Sequence, residues 1–320
     1  MRDKILITGA CGMMGSHMID YYHERGKVVH GTFYKPTTTL NEYAHKASMQ
    51  ECDVRYFHNV YKIISGIKPD IIFHLAAQSY PTVSLERPQE TIETNVNGTV
   101  NVFESIKEIR KIDPLYDPVV VVACSSAEYG SSLTPDNVPV PENIMLLPVH
   151  PYGVTKVAQD MLSYQYFINE KIKTIRARIF NTTGPRKIND VASDFTKRAV
   201  LIEKGEEKIL KVGNLYAKRA ITDVRDLIQA MILLSAKGKH GEVYNISGSK
   251  VYQVSELVSL IEKIMNRKFD LEVDQSLMRP TDEPIIYGDS TRLIKDTGWQ
   301  QIFSIEQTIS DMIDYWKMVL

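Results

Sequence analysis

The sequence has few cysteines and no long apolar run, and its charges nearly cancel. Cys11, Cys52 and Cys124 are the only cysteines in 320 residues, and they lie far apart without a C-x-x-C pair. That excludes a disulfide framework and offers no zinc-ligand spacing, so no metal site is expected. They read as small buried hydrophobes. No stretch approaches the roughly 18 apolar residues a membrane helix needs. Met1-Arg2-Asp3-Lys4 leads straight into a strand-like run rather than a signal sequence. A cytoplasmic protein without a membrane partner is expected. Lys plus Arg number 38 against 39 Asp plus Glu, a net charge of −1, which excludes a strongly basic nucleic-acid binder and a polyacidic tail protein. What is present, 43% hydrophobic and 24% charged residues, suits one large or two modest folded domains.

Short runs rich in Ile and Val recur at 4–8, 27–33, 70–75, 118–123 and 174–180, and each reads as a buried strand. Between them, helical spacing marks 14–25, 59–66, 91–109 and 155–169, the last with Val157, Met161, Tyr164 and Ile168 on one face. Alternating strands and helices predict an α/β fold, a doubly wound parallel sheet of Rossmann type. After residue 180 the rhythm weakens, and a smaller C-terminal α/β domain is expected. The expected division is 1–180 for the first domain, with 220–245 returning to it, and 181–219 plus 246–320 for the second. There is no internal repeat.

Gly9, Gly12 and Gly15 follow the first strand and open the first helix. Glycines there permit a tight turn, let backbone N–H groups approach a pyrophosphate, and allow close helix packing, so a dinucleotide site is expected. NAD sites place an acid at the end of the second strand to accept from ribose hydroxyls. Here that stretch is Thr32-Phe33-Tyr34-Lys35, and the next acid is Glu42. Without the carboxylate a ribose phosphate meets no repulsion, and Lys35 adds attraction, so NADP is favoured while NAD stays open. Asp53 is a candidate acceptor for the adenine amino group or, equally, a helix cap.

Tyr152 and Lys156 lie four apart at the start of a predicted helix and project from one face. That spacing alone carries little. Its combination with the glycine turn and with Ser125-Ser126 at the end of a Val-rich strand resembles the short-chain dehydrogenase/reductase family. The length is similar to its extended, nucleotide-sugar branch. The resemblance covers nearly the whole chain, through His74-Leu75-Ala76-Ala77-Gln78-Ser79, Thr94-Asn95-Val96-Asn97-Gly98-Thr99, Ser125-Ser126-Ala127-Glu128-Tyr129-Gly130, Pro151-Tyr152-Gly153-Val154-Thr155-Lys156, Arg178-Ile179-Phe180-Asn181 and Thr297-Gly298-Trp299.

The resemblance implies that Tyr152 moves the proton, that Lys156 favours its phenolate and bonds the nicotinamide ribose, and that Ser126, or Ser125 in its place, holds the sugar oxygen. It implies cofactor contacts from Gly9, Gly12, Met13, Met14, Gly15, Tyr34, Lys35, Asp53, Val54, Leu75, Ala76, Ala77, Asn95, Tyr152, Lys156 and Phe180. Substrate contacts are implied for Ser79, Ser126, Asn181, Arg186, Arg219 and Arg279. A homodimer is implied through the helices near 91–109 and 155–170.

The second half is similar to enzymes of GDP-linked sugars, the 4,6-dehydratases and the 4-keto-6-deoxymannose reductases, through residues 212–219 and 277–284. Arg219 and Arg279 are then the diphosphate clamp, for which a planar, always charged fork is suited. Glu128 matches the dehydratases' Thr-x-Glu pattern with Ser126 for Thr, which makes it a candidate general base or acid. The dehydratases carry one further residue between that Glu and the Tyr, and it is missing here. Dehydration of GDP-mannose across carbons 5 and 6 is the first reading, reduction of a GDP-4-keto-6-deoxy sugar the alternative and epimerisation a third. A non-catalytic NADP-binding regulator is disfavoured by retention of Ser126, Tyr152 and Lys156.

Overall fold

The computed structural model describes residues 4–278 and 283–320. Seven strands, β1 (Ile5–Thr8), β2 (His30–Phe33), β3 (Ser48–Glu51), β4 (Ile71–His74), β5 (Val119–Ser125), β6 (Lys173–Ile179) and β7 (Val243–Ile246), form one sheet in the order β7-β6-β5-β4-β1-β2-β3. All neighbours are parallel. A parallel sheet is covered on both faces, so its central strands are apolar throughout. Ile5, Leu6 and Ile7 accordingly sit against Ile71, Ile72 and Phe73, and these against Val119, Val120 and Val121.

Helices Met13–His23 and Val224–Lys237 cover one face, burying Met18, Ile19, Leu227 and Met231. Phe57–Ile67, Gly98–Ile112 and Pro151–Glu170 cover the other, with Ile64, Phe103 and Tyr166 inside. The strand order reverses between β1 and β4, and in such sheets the crevice beyond the strand ends at that point is where ligands bind.

A second core joins helices Val191–Glu203, Val254–Met265 and Ile305–Val319 through Phe195, Leu257, Ile309 and Trp316. The first of these helices was not legible in the sequence. It starts where Asp190 caps the N–H of Ser193 at 2.7 Å.

The stretch 246–320, expected in the second domain as a whole, needs correction. Leu293 and Trp299 belong to the first core, and the Trp299 indole donates to the Asp226 carbonyl at 2.9 Å. The expected apolar face of Pro151–Glu170 also points the other way. Met161, Tyr164 and Ile168 are 43–46% exposed, while the helix buries Thr155, Lys156, Gln159, Asp160 and Ser163. No helix among the described residues is long and apolar enough to cross a membrane.

Candidate active site

The glycine turn after β1 divides its tasks. Gly9 has φ +67°, and a Cβ on it would lie 2.7 Å from the Ala76 nitrogen. A Cβ on Gly15 would lie 2.5 Å from the Ala10 Cα. Both are therefore required by backbone packing. Gly12 is different: a Cβ there meets nothing nearer than the Gly9 carbonyl at 3.5 Å, and Gly12 caps the helix without any side-chain bond to its first N–H groups. That leaves orphan donors and the positive helix end available to an anion.

From this turn a cavity of about 550 Å³ crosses the carboxyl ends of the strands. Gly9, Gly12, Met13, Met14 and Gly15 line one stretch of it, Leu75, Ala76, Ala77 and Ser79 another. Tyr34, Lys35, Asp53, Val54 and Arg55 line the end beyond β2 and β3. Phe180, Asn181, Lys187, Ile188 and Asn189 come from the loop after β6. The Asn181 Oδ1 is buried there without a hydrogen-bond partner among the described residues.

At the β2 end, Arg55 grips Asp53 with Nη2 to Oδ2 at 2.6 Å and Nε to both oxygens at 3.0 Å. Burial pushes the Asp53 carboxyl up, but the Arg55 bonds outweigh it and hold it below the usual range. Asp53 also accepts from the Arg55 backbone N–H at 3.1 Å, so it closes a local turn as well as facing the cavity. Arg55 and Glu90 were not anticipated. Lys35 Nζ stands 3.5 Å from Glu90, and no spacing in the sequence marks that pairing.

Tyr152 and Lys156 reach the cavity from the first two turns of Pro151–Glu170. Pro151 at the helix start needs no N–H partner, and the His150 ring accepts from Gly153 N–H at 3.0 Å. Tyr152 lies within hydrogen-bonding reach of the Ser125 side chain. Burial nevertheless pushes its phenol up to about 12, so the group is a neutral donor at neutral pH. Lys156 Nζ sits 5.6 Å from the Tyr152 ring centroid and donates to the Ala123 carbonyl at 2.8 Å, while burial draws its pKa down to about 8. Ser125, Ser126 and Ala127 all line the cavity.

Three expected site residues stand elsewhere among the described residues. Glu128 is fully buried and is not among the cavity-lining residues. Its Oε1 accepts from Ser125 N–H at 2.9 Å, and its Oε2 lies 3.1 Å from Arg178 Nε. Burial first, then the Asp160 carboxylate, pushes its pKa up to about 8 against the pull of Arg178. Cys124, Glu128 and Asp160 place donor atoms within 4.8 Å of one another, but Arg176 and Arg178 stand against Asp160 at 2.6 and 2.8 Å. The carboxylates are thus answered by guanidinium groups, and no metal is assigned.

Asn95, expected at the cofactor, is buried behind the cavity wall, where it accepts from Gln78 N–H at 2.8 Å and donates to Thr155 at 2.9 Å. Arg219 is 8% exposed and lies off the cavity, its Nη1 donating to the Glu283 carbonyl at 2.8 Å. Arg279 lies outside the described residues. Arg186 does line the cavity, yet its guanidinium is spent on Asp20 at 2.6 Å and Glu42 at 2.8 Å, which makes it a staple between two segments rather than a free anion clamp.

A doubly wound sheet with a glycine-rich first turn and a Ser–Tyr–Lys constellation at its carboxyl edge defines an enzyme of the extended short-chain dehydrogenase/reductase class. Within that class the chain belongs to the GDP-mannose 4,6 dehydratase family, whose profile matches residues 6–312. The chain is 25% identical over 319 residues to a GDP-6-deoxy-D-mannose reductase of Pseudomonas aeruginosa, covering 99% of this chain and 98% of that protein. It is 27% identical over 328 residues to GDP-mannose 4,6 dehydratase 1 of Arabidopsis thaliana, covering 98% of this chain and 89% of that one. Among solved structures, RMD from Pseudomonas aeruginosa complexed with NADPH superposes with a TM-score of 0.85 at 23% identity, over 99% of this chain and 100% of the other.

Proposed function

We propose that the chain is a reductase that turns the 4-keto group of a GDP-linked 4-keto-6-deoxy sugar into an alcohol, using NADPH. The position of Glu128 carries this reading over the dehydratase expected first. Dehydration needs a base to remove the proton beside the new ketone. Of the segment between Ser125 and Tyr152, the residues facing the cavity are Ser125, Ser126, Ala127, Leu133, His150 and Tyr152, none of them a carboxylate. Counting the extra residue that separates Glu from Tyr in dehydratases lands on Ala127, so the base would be a methyl group here. The named reductase of Pseudomonas aeruginosa and the GDP-linked names of the relatives support the same substrate class.

When bound, the nicotinamide supplies the hydride that adds to the keto carbon. Tyr152 donates its phenolic proton to the oxygen as the alcohol forms, and its high pKa suits a donor. Ser125 hydrogen-bonds that same oxygen, and Lys156 places a positive charge next to the phenolate that remains. The turn at Gly12 receives the pyrophosphate. Tyr34 and Lys35 carry no acid of their own toward the ribose, which favours NADP. A phosphate competes with Glu90 for Lys35, so the preference over NAD is on the order of 1 kcal/mol. The outward stripe Met161, Tyr164 and Ile168 is the face through which a homodimer forms.

The test is to supply two substrates in parallel. GDP-mannose with catalytic NADP stays unchanged by mass spectrometry, and a GDP-4-keto-6-deoxy sugar is reduced with one NADPH consumed per product. Loss of water from GDP-mannose without net NADPH formation would restore the dehydratase reading.

A further inference from the structure

A fully buried carboxyl group is costly unless its oxygens are held, and in Glu128 one oxygen is hydrogen-bonded while the other has an ion-pair contact but no hydrogen bond among the described residues. It and Ser125 hold each other reciprocally: Glu128 Oε1 accepts from Ser125 N–H at 2.9 Å, and Ser125 Oγ accepts from Ala127 N–H at 3.1 Å. This closes a capping box on a turn of three residues. The other oxygen of Glu128 faces Arg178 Nε at 3.1 Å. Arg178 is itself fixed, donating to Asp160 at 2.8 Å, to the Tyr129 hydroxyl at 3.0 Å and to the Glu142 carbonyl at 2.9 Å. Asp160 stands one turn past Lys156 on the helix that carries Tyr152. The serine turn and the Tyr–Lys helix are therefore both moored to one side chain of β6. They also touch directly, since a Cβ on Gly153 would lie 2.6 Å from the Ala127 carbonyl oxygen.

We infer that Glu128 is a positioning residue of the reaction: anchored by Arg178, it fixes the Ser125 backbone and, through it, the hydroxyl that meets Tyr152. The inference rests on Ser125 and Tyr152 forming the reacting end of the site. Glu128 itself faces away from the cavity and touches no substrate. Its work is to offer an oxygen acceptor at a set reach. Glutamine retains that acceptor and alanine does not. The role is thus separable from charge and from proton transfer.

The experiment is a double-mutant cycle of Glu128→Ala and Ser125→Ala, with Glu128→Gln alongside. It reads kcat and KM for keto-sugar reduction, NADPH affinity by fluorescence, and thermal melting. Glu128→Ala lowers kcat about 10–100-fold with cofactor affinity unchanged, and Glu128→Gln stays within about 3-fold of wild type. Because Glu128 acts through Ser125, adding Glu128→Ala to Ser125→Ala costs less than about 3-fold more. Wild-type kcat in Glu128→Ala, an equal loss in the Ser125→Ala background, or a loss in Glu128→Gln as large as in Glu128→Ala would each overturn the inference.

A second readout needs no turnover. In protein carrying ring-labelled ¹³C tyrosine, the Tyr152 resonance, identified by its absence from Tyr152→Phe, shifts in Glu128→Ala as it does in Ser125→Ala and stays in place in Glu128→Gln. A resonance unmoved in Glu128→Ala refutes the link. If the wild-type protein reduces no keto sugar, the functional proposal fails, while this comparison still decides the inference. Should Glu128→Ala fail to fold, Glu128→Asp replaces it with the same expectations. It keeps the charge by Arg178 but is one methylene too short to reach Ser125 as well.

Discussion

Tyr152 and Ser125, the last residue of β5, both line the cavity, one from a helix start and one from a strand end, and the Ser125 side chain draws the phenol's pKa down against burial. Ser126 also lines the cavity, but the partner within reach of the proton donor is its neighbour. Ser125→Ala should therefore lower kcat about 10–100-fold, and Ser126→Ala should leave it within about 3-fold. Steady-state NADPH oxidation with the keto sugar checks this, and the reverse ranking would return the role to Ser126.

Tyr152→Phe removes one hydroxyl and little else. Turnover should fall by about 10²–10⁴, while NADPH titration gives an affinity near that of the wild-type protein. A variant that turned over normally would remove Tyr152 from the mechanism.

The glycines separate packing from binding. Gly15→Ala forces a Cβ to 2.5 Å from Ala10 Cα and should cost about 1–3 kcal/mol of stability, seen as a lower Tm without cofactor. Gly12→Ala has only a 3.5 Å contact within the protein, so its Tm without cofactor stays near wild type while cofactor affinity drops. Unchanged affinity in Gly12→Ala would mean that the pyrophosphate does not approach this turn.

Asp20 provides a pH test. Burial works to raise its pKa, but Lys46 at 2.5 Å and Arg186 at 2.6 Å outweigh that and hold it below the ordinary value. A carboxyl whose folded pKa lies under its unfolded value of about 3.9 adds stability above that pH and loses it as pH falls through the folded pKa. Arg186→Met should thus melt earlier than wild type at neutral pH, and the gap should shrink as the pH falls below the unfolded value of about 3.9. Melting curves across that range decide it, and a gap that widens in acid contradicts the assignment.

The sequence by itself determined the elements whose information is local. Apolar runs such as Ile5-Leu6-Ile7 and Val119–Val122 read as strands covered on both faces, and the glycines at 9, 12 and 15 mark a turn that side chains at 9 and 15 would block. Tyr152 and Lys156 share a helix face because they lie four apart. Tertiary structure alone decided which way each side chain of the Ser125–Glu128 turn points. The Glu128 carboxyl lies off the cavity, held by the Ser125 N–H at one oxygen and facing Arg178, fifty positions on in β6, with the other. The same holds for Arg186 and for the apolar stripe of Pro151–Glu170. Periodicity shows that a helix has two faces, but the buried pairing of Asp160 with Arg176 and Arg178 is what turns the polar one inward. Partners so distant in sequence leave no spacing to read, because the energy that orients them exists only once the sheet has brought them together.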